Sequence, residues 1–141
     1  MTTYSMMHVL MASPTEPLPE HKRQYQLTRM FDAMRNLETA EQPTVMDWER
    51  VNDAVMIMEA LKDMSIVEDN DGLLEDAMEA LGKAGDRSLN GKALRLDGSG
   101  IQALRGLLED YSTVLEVLPA RTMITAHRNA EQKIKKILKR K

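Results

Sequence analysis

The chain has no cysteine in 141 residues. Disulfides, thiolate catalysis and cysteine-based zinc sites are therefore excluded, and the absence fits a reducing compartment. Aromatic residues are scarce, with one Trp, one Phe and three Tyr. No run approaches the roughly 20 apolar residues of a membrane-spanning helix. The opening stretch, Met1 to Met11, lacks a basic segment, and its apolar part is too short for a signal peptide. A soluble, cytoplasmic protein without membrane association is the expectation.

Methionine, in contrast, is abundant, with twelve residues. Its flexible thioether fills irregular core gaps and also suits adaptable contact surfaces. The length fits one domain of about 100–150 residues and is enough to bury a core without staples. The net charge of −3 hides a division. Residues 121–141 hold eight Lys or Arg and one Glu, whereas residues 1–120 hold 11 Lys or Arg and 21 Asp or Glu. An acidic body with a basic tail is the main functional clue in the composition.

The cleanest pattern lies between Ile101 and Leu118. Ile101, Leu104, Leu107, Leu108, Tyr111, Val114, Leu115 and Leu118 fall on one face of an α-helix. The expectation is that the other helices pack on this one. Before it, Pro14, Pro17 and Pro19 interrupt any helix. Residues 1–18 read either as an extended arm, with Tyr4, Met6, Val9 and Leu10 against the body, or as a disordered leader. Residues 19–141 read as the helical domain.

A first helix runs from about Pro19 to Thr39, with Leu27, Met30, Phe31, Met34 and Leu37 inward. Thr44 and Asp47 resemble a capping box for a second, ending near Met64. Its apolar face, built on Trp48, Val51, Val55 and Met58 and widened by Ala54, Ile57, Leu61 and Met64, is broad enough for two neighbours, hence a central place. A third spans about Leu73 to Ala84, with Leu74, Ala77, Met78 and Leu81 inward and Gly85 as its stop. The stretch Asp86 to Gly100 reads as mostly loop; within it 92–96 alternates well enough for a short strand, but one strand has no evident partner. Asp97 or Ser99 caps the organising helix. Pro119 opens a last helix to about Leu138, with Met123, His127, Ala130, Ile134 and Ile137 on one seam. The expected fold is all-α, a single-domain bundle of about five helices.

The run 95–104, from Arg95 to Leu104, is followed by Leu108-Glu109-Asp110-Tyr111, Leu118-Pro119-Ala120-Arg121-Thr122-Met123-Ile124 and His127-Arg128. Together with Asp47-Trp48, these residues resemble small helical accessory proteins of bacterial prophages and mobile elements. That group has no assigned activity. The resemblance implies a phage-type accessory protein and carries over no catalytic residues.

Candidate chemistry is sparse. Asp69, Asp71 and Gly72 invite a calcium-loop reading, but the first and last ligand positions would be Val67 and Met78, which have no oxygen ligands to offer. Charge at a helix N-terminus explains these acids better. The histidines, His8, His21 and His127, show no metal-binding spacing. His127 and Glu131 are an ordinary i, i+4 helix pair, and a general-base role would need a pocket and a partner. Gly98-Ser99-Gly100 lacks the Lys-Ser/Thr of a phosphate loop and reads as a turn into a helix. No catalytic, cofactor-binding or metal residue is expected, and no cofactor.

Two charged groups remain as candidate partner-binding residues. One is acidic: Glu68, Asp69, Asp71, Glu75, Asp76 and Glu79. The other is basic: Arg128, Lys133, Lys135, Lys136, Lys139 and Arg140, with Lys141 at the end. Each has a plain structural explanation, a solvated face for the acids and a favoured helix C-terminus for the bases. The expected function is a non-enzymatic accessory protein that binds a bacterial or phage protein, with homo-oligomerisation open. The alternative is a nucleic-acid-binding regulator working through the basic last helix. No aromatic interleaves with the lysines, and the acidic body opposes that alternative.

Overall fold

In a computed structural model, which describes residues 3–69 and 71–139, the chain folds into six helices. These are α1 (Met6–Met11), α2 (Glu20–Thr39), α3 (Val45–Asp63), α4 (Leu73–Leu89), α5 (Gly98–Val117) and α6 (Ala120–Lys139). The bundle is all-helical among the described residues, with one helix more than the five expected. The addition is α1, inside the stretch read as extended or disordered. Its start is capped locally: Ser5 accepts from the His8 backbone, and the His8 ring accepts from the Ser5 backbone. That box uses His where Glu or Gln is usual, so the sequence pattern does not announce it.

The hub of the bundle is α3, which packs against α2, α4, α5 and α6. It buries Val51, Ala54, Val55, Met56, Ile57, Met58, Ala60 and Leu61, on almost every side. A helix buried all round shows no single stripe, whereas a helix with one wet face does. That is why the clean stripe of α5 pointed to the wrong centre. Both helices are nonetheless essential to the core, since Leu104, Leu108 and Leu115 of α5 are fully buried. The start of α3 is as expected. Thr44 and Asp47 form a reciprocal capping box, and Asn36 donates to Asp47 Oδ1 at 3.2 Å. These contacts hold the Asp47 carboxyl below its usual range despite the opposing effect of burial.

Gly85 does not stop α4. It lies within the helix, where a Cβ would sit 3.7 Å from the Trp48 ring. The half-buried Trp48 donates its indole N–H to the Leu81 carbonyl at 2.9 Å, pinning α3 to α4. The helix ends at Asn90, and Gly91 continues with φ +79°, a left-handed turn that glycine permits. Met78 and Phe31, both expected inward, are exposed at the margins of their stripes. The segment 92–96 is loop, as expected, and lies across the bundle as a strap: Leu94 and Leu96 are buried, and Arg95 donates to the Glu41 carbonyl at 2.9 Å.

The turn into α5 requires glycine for a steric reason. Asp97 accepts from the Gly100 N–H at 2.6 Å and from the Ser99 hydroxyl at 3.1 Å. A Cβ on Gly100 would fall 2.8 Å from both Ala80 Cβ and Asp97 Oδ1. Gly100→Ala should therefore lower stability by about 1–3 kcal/mol, the usual cost of overpacking. Gly98→Ala, with nothing near the added methyl, should not. Denaturant unfolding of the two variants checks the pair.

Candidate functional site

The twelve charged candidates do not form one site. On the acidic side, Asp69 is structural: its two carboxylate oxygens accept from the Leu74 and Glu75 backbones at 3.0 and 3.3 Å, capping α4. Glu75 and Asp76 follow in the first turn, where the helix dipole favours them. Glu79 pairs with Lys83 at 3.2 Å. Glu68, Asp71, Glu75, Asp76 and Glu79 are all exposed. No cluster of acids or histidines among the described residues is arranged to hold a metal ion.

The basic group is partly used up within the protein. Lys133 bridges Glu59 and Asp63 on α3, which raises its affinity for the proton. The exposed Lys135 lies 3.3 Å from the partly buried Glu131, an i, i+4 contact of little energetic weight. Among the described residues no ion pair joins this group to the 68–79 acids. Lys136 and Lys139 are exposed, and Arg128 reaches the Met6 sulfur at 3.6 Å. Arg140, and Lys141 with it, lie outside the described residues.

A different surface emerges where α1 crosses α6. The two run in opposite senses: Thr3 meets Glu131, Tyr4 meets His127, and Val9 and Leu10 meet Arg121. Arg121 donates to the Val9 and Leu10 carbonyls, each at 3.1 Å, closing the C-terminal end of α1. The following loop returns the favour, because the Ser13 and Glu16 carbonyls accept from the first N–H groups of α6. Tyr4, Val9 and Ala12 pack inward. Met6, Met7, Leu10 and Met11 stay outside, at 55, 72, 66 and 81% exposure. Of the four expected contact residues in this stretch, Tyr4 and Val9 are the ones that pack on the body.

Behind α6 lies a cleft of about 270 Å³ between α2, α3, α5 and α6. Arg29 and Arg50 stand at its mouth. Arg29 hydrogen-bonds the Tyr25 hydroxyl at 2.9 Å and stacks over that ring. Met30, Ala54 and Ile57 form apolar walls. The floor is made by Tyr111, whose hydroxyl donates to Gln26 at 3.3 Å, and by His127. Burial pushes the Tyr111 hydroxyl upward, so it stays protonated. Asp53 also lines the cleft, and burial pushes its carboxyl up.

Among the described residues, His127 is a buried side chain with both polar atoms unsatisfied: it is 5% exposed, and neither ring nitrogen has a hydrogen-bond partner there. Tyr4 meets it edge to face at a centroid separation of 5.3 Å. Burial pulls its pKa down to about 4, with Glu131 opposing. The i, i+4 pairing with Glu131 is not a hydrogen bond, since that carboxylate is taken by Thr3 and Lys135. A neutral imidazole of such low basicity, beside a protonated phenol, suits hydrogen bonding better than proton abstraction near neutral pH.

The sequence reading named His127 but missed Gln26, Arg29, Arg50 and Tyr111 as its companions. The available signal was polar residues beside apolar ones on one helix face: Gln26 and Arg29 next to Met30, and Arg50 and Asp53 next to Ala54 and Ile57. No protein-family model, curated protein or solved structure matches the chain.

Proposed function

We propose that the chain is a non-enzymatic accessory protein, of phage or mobile-element type and acting in the cytoplasm, that binds a bacterial or phage protein. The observation that carries this reading is the outer face of α1. Met6, Met7, Leu10 and Met11 are held exposed on a helix that is fixed at its end by Arg121. Large apolar side chains grouped on a surface mark interaction sites, and methionine adapts to irregular partners. The mobile-element class rests on the resemblance of Asp47-Trp48 and the 95–128 region alone.

The test is capture from bacterial lysate treated with nuclease. A partner protein should be retained by the parent chain and lost by a Met7→Asp, Met11→Asp variant, whose fold the exposed positions leave intact. Retention by that variant at full yield would remove α1 from the binding face.

The second reading, a nucleic-acid-binding regulator, is favoured by one observation: Lys136 and Lys139 are exposed and have no acid partner among the described residues. The pairing of Lys133 and Lys135 within the protein counts against it. Lys136→Gln with Lys139→Gln should leave capture of the protein unchanged. Should the parent chain bind DNA or RNA with a steep salt dependence that this variant loses, the second reading takes precedence.

A further inference from the structure

We propose that the cleft between α2, α3, α5 and α6 binds a small organic oxyanion, its carboxylate or phosphate held by Arg29 and Arg50 and its inner end hydrogen-bonded to His127. The position goes beyond the protein-binding face, which lies on the far side of α1. Three independent features meet in this one cavity.

The first is unused donor capacity at the mouth. Neither arginine is ion-paired among the described residues. Arg50 Nε is buried without a hydrogen-bond partner, and its terminal nitrogen meets only the Met46 sulfur at 3.3 Å, a weak acceptor. Arg29 is oriented by Tyr25 yet offers its remaining N–H groups. Two guanidinium groups flanking one opening suit the planar, two-oxygen face of a carboxylate or phosphate. Asp53 is engaged within the protein, where burial pushes its carboxyl up and the nearby Arg29 charge draws it down.

The second feature is the floor. A buried imidazole with both nitrogens unpartnered carries a desolvation cost that a ligand hydroxyl or carbonyl can relieve. The neutral ring can donate or accept, so it fixes the position of a ligand group rather than its charge. The third is shape. Met30, Ala54 and Ile57 line the space between mouth and floor. A cleft of about 270 Å³ is close to the lower end of small-molecule sites, enough for a single ring with its substituents.

The experiment titrates the full chain with 4-hydroxybenzoate, phenyl phosphate, inorganic phosphate and benzamidine. Binding is followed by the His127 ring signals in NMR. The expected result is a saturable shift of His127 with 4-hydroxybenzoate or phenyl phosphate, the stronger of the two naming the headgroup. Arg29→Gln with Arg50→Gln should weaken it by about tenfold or more, since charge-assisted bonds are lost. Arg29→Gln alone, at an exposed position, should give an intermediate loss and guards against a misfolded double variant. Lys136→Gln with Lys139→Gln should change nothing, and benzamidine, a cation of similar size, should not shift His127. No saturable shift with either organic oxyanion overturns the proposal. So does full affinity in the double arginine variant, an equal response to benzamidine, or a response to inorganic phosphate that matches the organic ligands at His127.

Discussion

Leu108→Ala is expected to lower the stability of the folded chain by about 2–5 kcal/mol, the range for truncating a buried leucine. Leu108 has no exposed surface and sits with Leu104, Leu107 and Leu115 on the inward face of α5. It belongs to the same buried core as the large side chains of the α3 hub, Ile57 and Leu61 among them. Helices packed on two sides cannot both close over a missing isobutyl group, so a cavity remains and the lost contacts are not recovered. Val117→Ala on the same helix is the control, because Val117 is 66% exposed. It should change stability by less than about 0.5 kcal/mol. Urea unfolding at neutral pH separates the two. A Leu108→Ala cost within the surface range would mean that α5 does not seat on the hub as described.

The second large effect is a pH dependence. The folded state holds His127 neutral, with a pKa of about 4 against an ordinary 6.5. Below pH 6.5 the unfolded chain binds a proton that the folded chain refuses, so stability falls as the pH drops from 6.5 towards 4. The full loss is on the order of 3 kcal/mol, and above pH 6.5 the contribution is flat. Among the described residues, the charged and titratable groups around the ring are Tyr4 from the leader, Tyr111 of α5, Asp53 of α3 and Glu131 of α6, with the two arginines across the cleft. Asp53 acts in the opposite sense, since a carboxyl raised by burial takes up its proton more readily in the folded state. Asp47, held low, loses its contribution only below its ordinary 3.8. The difference between parent and His127→Phe therefore isolates the histidine. The variant should match or exceed the parent at pH 7 and should show a shallower decline between pH 6.5 and 4.5. Parallel profiles would mean that His127 is not held neutral.

Much of this architecture is legible in the chain because its causes are local. The capping box at Thr44 and Asp47 spans four residues, and the stripes of α5 and α6 repeat every turn. Features that depend on a distant neighbour are not. Gly85 looks like a helix stop until Trp48 is seen against it. The loop at 92–96 is legible, but not that Leu94 and Leu96 bury themselves against the bundle as a strap. The end of α1 is held by Arg121, more than a hundred residues away, and the Ser5–His8 cap at its start uses His where Glu or Gln is usual, so neither shows in the sequence pattern. Charge division was visible, but pairing was not: Lys133 finds Glu59 and Asp63 on the hub, not the 68–79 acids. The cleft draws one or a few residues from each of four helices, so no contiguous motif marks it.

The claim that α1 presents the binding face is tested most directly by site-specific photocrosslinking in bacterial cells. A photoreactive residue is placed at Met7 in one chain and at Lys136 in another, both exposed positions. The account predicts a discrete protein adduct from position 7 that resists nuclease, and none of comparable yield from position 136. Nucleic-acid adducts from position 136, with no protein adduct from position 7, would contradict it.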